Sequence, residues 1–262
     1  MSKNFELLNR LDKMREVLPG VDSELPPLES VVTGPEVVTV AAPEVSVTPP
    51  LLELEPTARQ EVNKLVHRLF SPNKAEGPKC VVFTCPESGG GATWMCSHVA
   101  DTLASQVSSS ICIVDCNLRS PSLHQQFGVE NNSGLADALR ANRPIREYVQ
   151  QLRSNLWMIT SGSSFEEAQQ LLTSDRMRVR IAELRATFDY IVLDSAPLSS
   201  CNHGLVLGAL CDGAALVVKA NSTRRNVVRR ALEEFQSAQV GVLGVVLNQR
   251  TFPIPAKIYN RL

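Results

Sequence analysis

The stretch Cys80-Val81-Val82-Phe83-Thr84-Cys85-Pro86-Glu87-Ser88-Gly89-Gly90-Gly91-Ala92-Thr93 decides how this chain is read. It opens as a short aliphatic strand, and the pattern predicts a helix over 92–106 directly after it. Three consecutive glycines between strand and helix let backbone N–H groups converge on one point. They also admit a bulky anion without Cβ clashes. The helix N-terminus adds partial positive charge at the same point. Taken alone, such a segment also suits an ordinary tight strand–helix turn.

Two further stretches narrow the choice. The second strand runs Ile111-Cys112-Ile113-Val114-Asp115-Cys116-Asn117-Leu118-Arg119 and puts a carboxylate at its C-terminal end. A later one, Ile191-Val192-Leu193-Asp194-Ser195-Ala196-Pro197, does the same. Any single strand-end aspartate is more often a cap or a turn residue. Two of them, in order after a glycine-rich loop, form the constellation that holds Mg²⁺ and orients an attacking oxygen beside phosphate. The loop is then a P-loop in which Ala92 stands where the phosphate-binding lysine belongs, while Thr93 keeps the metal-binding hydroxyl.

The rest of the chain supports a sheet-centred domain. Aliphatic runs at Leu156–Thr160, Ala214–Lys219 and Val242–Asn248 read as strands buried on both faces. Helical segments fall at 134–141, 174–187, 203–210 and 223–238. Alternation of this kind predicts an α/β fold: a doubly wound, mostly parallel sheet with helices on both faces. Before it, residues 57–70 read as a helix with Val62, Leu65, Val66, Leu69 and Phe70 apolar. Residues 19–56 hold eight of the 16 prolines and seven acidic residues but no Lys or Arg, and read as a disordered linker. Residues 1–18 read as a short amphipathic helix, with Leu7, Leu8, Leu11, Met14 and Leu18 at helical spacing. The expected parts are thus 1–18 helix, 19–56 linker, 57–250 P-loop domain and 251–262 tail.

Composition excludes several classes. With 44% apolar residues, 5% aromatics and a net charge of −1, bulk charge offers nothing to nucleic acid. Seven cysteines without a Cys-x-x-Cys pair read as reduced, buried thiols. No apolar run has signal-peptide character, and Gly204–Lys219 is broken by Asp212. The expectation is a cytoplasmic protein without membrane insertion, associating with a membrane through a partner. His98, His124 and His203 read as packed or surface histidines. The Arg224, Arg225, Arg229, Arg230 cluster reads as a solvated helix face.

These residues resemble the bacterial tyrosine kinases of capsule and exopolysaccharide synthesis, relatives of the MinD/ParA ATPases. The resemblance covers about residues 57–250. It rests on the loop, on Asp115-Cys116-Asn117-Leu118-Arg119, on Phe127-Gly128, on Gly134-Leu135-Ala136-Asp137-Ala138-Leu139, on Asp189-Tyr190-Ile191-Val192-Leu193-Asp194-Ser195-Ala196-Pro197, and on Leu243-Gly244-Val245-Val246-Leu247-Asn248. It implies ATP and Mg as ligands. Gly89, Gly90, Gly91, Ala92, Thr93, Trp94 and Asn248 would surround the nucleotide, with Asn248 at the adenine. Thr93, Asp115 and Asp194 would hold the metal, and Asp115 would lie at the attacking hydroxyl.

Departures from the pattern cluster at the chemistry. Ala92 removes the lysine, Asn117 replaces a second acid, and Trp94 stands where a small hydroxyl residue is usual. The family's oligomerisation motif, Glu-x-x-Arg-x-x-Arg, survives as Glu61, Lys64 and His67, which weakens the case for ring assembly through it. The tail offers one phosphoacceptor candidate, Tyr259. The leading expectation is a degenerate kinase with weakened or lost ATP and Mg binding. Its partners would be a membrane polysaccharide co-polymerase or export protein and further copies of itself. Two alternatives stand beside it: an active tyrosine autokinase with another cation, such as Arg119, in place of the lysine, and a MinD/ParA-like positioning ATPase. The last would need residues 3–18 to bind membrane, although their polar face is mixed in charge rather than basic.

Overall fold

A computed structural model describes residues 51–70, 77–141, 143–163 and 168–250. The expected N-terminal helix, most of the linker and the tail with Tyr259 lie outside them. A seven-stranded sheet forms the centre, in the order β3-β4-β2-β5-β1-β6-β7. Its strands are β1 (Cys80–Thr84), β2 (Ile111–Asp115), β3 (Gln150–Arg153), β4 (Leu156–Ile159), β5 (Tyr190–Asp194), β6 (Gly213–Lys219) and β7 (Val242–Asn248). All neighbours run parallel except β3 and β4, which pair antiparallel. This is the doubly wound, mostly parallel α/β fold expected from the sequence.

Six of these strands appear in the sequence as aliphatic runs. The seventh, β3, reads Gln-Gln-Leu-Arg and is only partly buried, because an edge strand has one covered neighbour and can be polar. Side chains alternate between two cores, one on each sheet face. Val82, Val114, Leu193 and Leu216 face one, and Val81, Phe83, Ile113, Val192 and Val217 face the other.

The helices are α1 (Pro56–Phe70), α2 (Ala92–Gln106), α3 (Leu123–Phe127), α4 (Leu135–Arg140), α5 (Ala168–Leu171), α6 (Asp175–Thr187), α7 (His203–Leu210) and α8 (Arg225–Ser237). Helix α1 buries Val62, Val66, Leu69 and Phe70, one helical stripe, in the second core. Helix α2 buries eleven of its fifteen residues between the sheet and α1. It has little amphipathic character because almost no face meets water. Burying each large aliphatic side chain contributes roughly 1.5–3 kcal/mol, so α2 is anchored along its whole length.

One anchor is polar. Asp101, fully buried, accepts the backbone amides of Leu51 (3.0 Å) and Leu52 (2.8 Å) and pairs with Arg153 Nη1 at 3.3 Å. Arg153 Nη2 also donates to the Asp101 carbonyl. The last residues of the segment read as linker are therefore tied to the middle of α2.

Candidate nucleotide-binding site

The loop after β1 turns through Gly89 (φ 81°) and Gly91 (φ 83°), left-handed conformations that side chains resist. Between them Gly90 is pressed against its surroundings. A Cβ there would lie 2.7 Å from Cys85 Cβ and 3.2 Å from the Val217 carbonyl oxygen. Asn248, the last residue of β7, donates from Nδ2 to the Gly90 carbonyl at 3.1 Å and supports the loop.

The segment leaving β5 forms the facing wall. Ser195 donates its amide to the Phe83 carbonyl, Leu198 to Cys85 and Ser199 to Pro86, so the chain after Asp194 runs alongside the loop. Between the two lies a cleft of ≈ 570 Å³, within the usual range for a ligand site. Ser88, Gly89, Ala92 and Thr93 line one side, and Ser195, Ser199 and Ser200 another. Asn117, Arg119 and Ser120 contribute from the exit of β2, and among the described residues Arg119 is the only charged side chain in the lining.

Asp115 and Asp194 end adjacent parallel strands and are paired in register. Both are fully buried. Thr93 Oγ1 donates to Asp194 Oδ2 at 2.7 Å, which joins the first turn of α2 to the end of β5. Asp115 Oδ1 accepts the Asn117 amide (3.0 Å) and Oδ2 the Leu123 amide (3.2 Å). Burial pushes Asp115 up to about 7, against those amides, which pull the other way. Burial, then the neighbouring Asp115 charge, drives Asp194 well above the usual carboxylate range. Asp194 Oδ1 and Ser195 Oγ are buried with no hydrogen-bond partner among the described residues. Hard oxygen donors grouped around an orphaned carboxylate oxygen fit a small divalent cation.

Each departure from the pattern has a local account. Ala92 presents only a methyl group, 5% exposed, at the head of α2. Asn117 donates from Nδ2 to the Ser120 carbonyl (2.9 Å) and accepts the Ser120 amide (3.3 Å), so it closes the turn after β2. Trp94 packs on His98 with ring centroids 4.1 Å apart and the ring planes tilted by 54°, and it does not line the cleft. Burial lowers the pKa of His98 and of His203, favouring the neutral ring in both. On α8, Arg229 and Arg230 lie 3.8 and 3.9 Å from Glu233 and Glu234. On α1, Lys64 pairs with Glu61 at 2.7 Å. The serines of the β5 wall escaped sequence reasoning: Ser199 and Ser200 are ordinary loop residues until β1–β5 pairing sets them beside the glycines.

Comparison with known proteins agrees with this fold. No family model matches the chain. Tyrosine-protein kinase YwqD of Bacillus subtilis is 27% identical over 171 residues, covering 65% of this chain and 72% of that protein. The putative tyrosine-protein kinase CapB of Staphylococcus aureus is 27% identical over 172 residues, 65% and 75%. The chain is a relative of the bacterial tyrosine kinases. The putative tyrosine-protein kinase EpsB of Ralstonia nicotianae is 28% identical, but the match spans only 23% of its length. Among solved structures, the kinase domain of Escherichia coli tyrosine kinase ETK superposes with a TM-score of 0.68 at 21% identity, over 75% of this chain and 79% of that one. The VpsO kinase domain gives 0.68 at 25%, over 74% and 95%. A ParA family ATPase from Chlorobium tepidum gives 0.55 at 18%, over 66% and 75%. The tyrosine-kinase relatives thus share both sequence and fold, and the ParA relative shares the fold. Among the described residues, no helix is long and apolar enough to cross a membrane.

Proposed function

We propose that this chain is a degenerate bacterial tyrosine kinase that binds Mg·ATP weakly, transfers phosphoryl poorly or not at all, and regulates exopolysaccharide or capsule synthesis through a membrane co-polymerase partner. The observation that carries the reading is Ala92 at the head of α2, beneath an otherwise complete loop. Loop amides and the α2 N-terminus can hold phosphate oxygens. Thr93, Asp194 and Asp115 would hold Mg²⁺, which supplies charge neutralisation when bound.

The missing lysine would have made charge-assisted contacts worth roughly 1.5–3 kcal/mol each, which is about ten- to hundredfold in affinity. Transfer suffers more than binding, because charge on the moving phosphoryl group peaks in the transition state. Asp115 adds to the deficit. Both of its oxygens are engaged by backbone amides, and they would have to release or share those bonds to receive a hydroxyl proton. Such a protein is suited to sensing nucleotide and presenting a surface.

Calorimetric titration with Mg·ATP tests the binding half. Wild type is expected to bind detectably, and Ala92→Lys about tenfold or more tighter. Absence of binding by both proteins would overturn the nucleotide reading.

Arg119 in the cleft favours one second reading, an active autokinase with Asp115 at the attacking hydroxyl and Tyr259 as acceptor. It predicts phosphotyrosine on the wild-type chain that disappears in Tyr259→Phe. Mass spectrometry after incubation with Mg·ATP decides it, since an unmodified chain excludes this reading.

A further inference from the structure

We infer that Arg119 supplies, from the opposite side of the cleft, the positive charge that Ala92 does not, and that it makes the site selective for the triphosphate. This rests on the nucleotide reading of the cleft.

Among the described residues, Arg119 is the only charged one of either sign in the cleft lining, and it is exposed. Among the described residues its guanidinium makes no hydrogen bond or ion pair, unlike Arg153, Arg180 and Arg185, which are committed to neighbours. Its backbone, by contrast, is fixed. It sits inside the turn closed by Asn117 and Ser120, and that turn hangs from Asp115 through the Asn117 and Leu123 amides. Asp115 is paired in register with Asp194, and Asp194 is bonded to Thr93 beside Ala92. The turn therefore stands across the two carboxylates from the head of α2. An arginine side chain extends about 6–7 Å, and its planar fork binds two phosphate oxygens in fixed bidentate geometry, where a lysine acts as a point charge.

The charge balance favours such a group. Two buried carboxylates lie under the cleft, and among the described residues no side chain in its wall other than Arg119 would offset a polyphosphate. A cation reaching in from the β2 turn, rather than from the helix head, meets the outer end of a phosphate chain seated on the loop. It can hold the terminal phosphate in place without following it through transfer. That position suits discrimination of triphosphate from diphosphate better than catalysis.

Calorimetry with Mg·ATP, Mg·ADP and adenosine on the full chain tests the inference. Wild type is expected to prefer Mg·ATP to Mg·ADP by about tenfold. Arg119→Gln is expected to lose about tenfold or more in Mg·ATP affinity, to lose the preference, and to keep its affinity for adenosine. Arg119→Lys should retain part of the preference, and Arg119→Gln combined with Ala92→Lys should recover Mg·ATP binding. Matching melting temperatures exclude misfolding as the cause. If Arg119→Gln binds Mg·ATP and Mg·ADP as wild type does, Arg119 has no such role although the cleft is a nucleotide site. If neither wild type nor Ala92→Lys binds any nucleotide, the inference falls together with the reading beneath it.

Discussion

Asp194 is a carboxyl whose surroundings oppose its charge. It is fully buried, shares a strand-end position with Asp115, and leaves Oδ1 without a partner. A carboxylic acid whose pKa is raised by folding holds its proton more tightly folded than unfolded. Its stabilising effect is complete below the ordinary value of about 4, and is lost as pH rises through the folded value, about 7 for Asp115. The ligand-free protein is therefore expected to lose stability from about pH 4 to pH 7 and above. Asp194→Asn keeps an acceptor for Thr93 and removes the buried charge. It should raise the melting temperature at pH 8 by several degrees, or roughly 1–3 kcal/mol, and flatten the slope with pH. A lower melting temperature at pH 8 would show that the carboxylate is not a burden to the fold. That Asp115, Asp194 and Thr93 come together was legible, because strand ends and a glycine-rich loop mark their places. The orphaned oxygen, the turn of Trp94 onto His98 and the isolation of Arg119 were not, because each depends on which neighbour a side chain meets in space.

Helix α2 connects the phosphate loop at its head with the Asp101–Arg153 pair and the Leu51–Leu52 backbone at its middle. Removing one partner of a buried pair strands the other charge, so Asp101→Ala should cost about 3–5 kcal/mol in chemical denaturation. It should also speed amide exchange at Leu51 and Leu52. A loss below about 1 kcal/mol with unchanged exchange would mean that this contact does not organise the helix. Arg180 plays a comparable role for α4: buried on α6, it donates to the carbonyls of Ala138 and Ala141. Arg180→Ala should destabilise by about 2–3 kcal/mol in the same measurement, and a neutral effect would show that solvent replaces it. At this scale the buried strands and the long helices were readable from aliphatic runs and helical spacing. The edge strand β3 and the short helices α3 and α5 were not, since a few polar residues or a single turn carry no period. Asp101 was invisible too, because nothing in sequence joins residue 51 to residue 101 or 153.

The strand order puts β1 between β5 and β6 in the interior of the sheet, and the cleft opens at the C-terminal ends of β1, β2 and β5. Ligands in open α/β sheets bind at that edge, so topology and motif point to one place. The whole-molecule class was readable in advance because alternating buried strands and helices admit few other arrangements. What the chain does with the site was less so, since its outcome turns on one methyl group at Ala92 against one guanidinium at Arg119. Full-length protein incubated with Mg·ATP and assayed for phosphotyrosine tests this balance most directly, with binding measured in parallel. The account predicts that wild type binds Mg·ATP yet forms no phosphotyrosine above background. Phosphotyrosine that accumulates on the wild-type chain and vanishes in Asp115→Asn would contradict it.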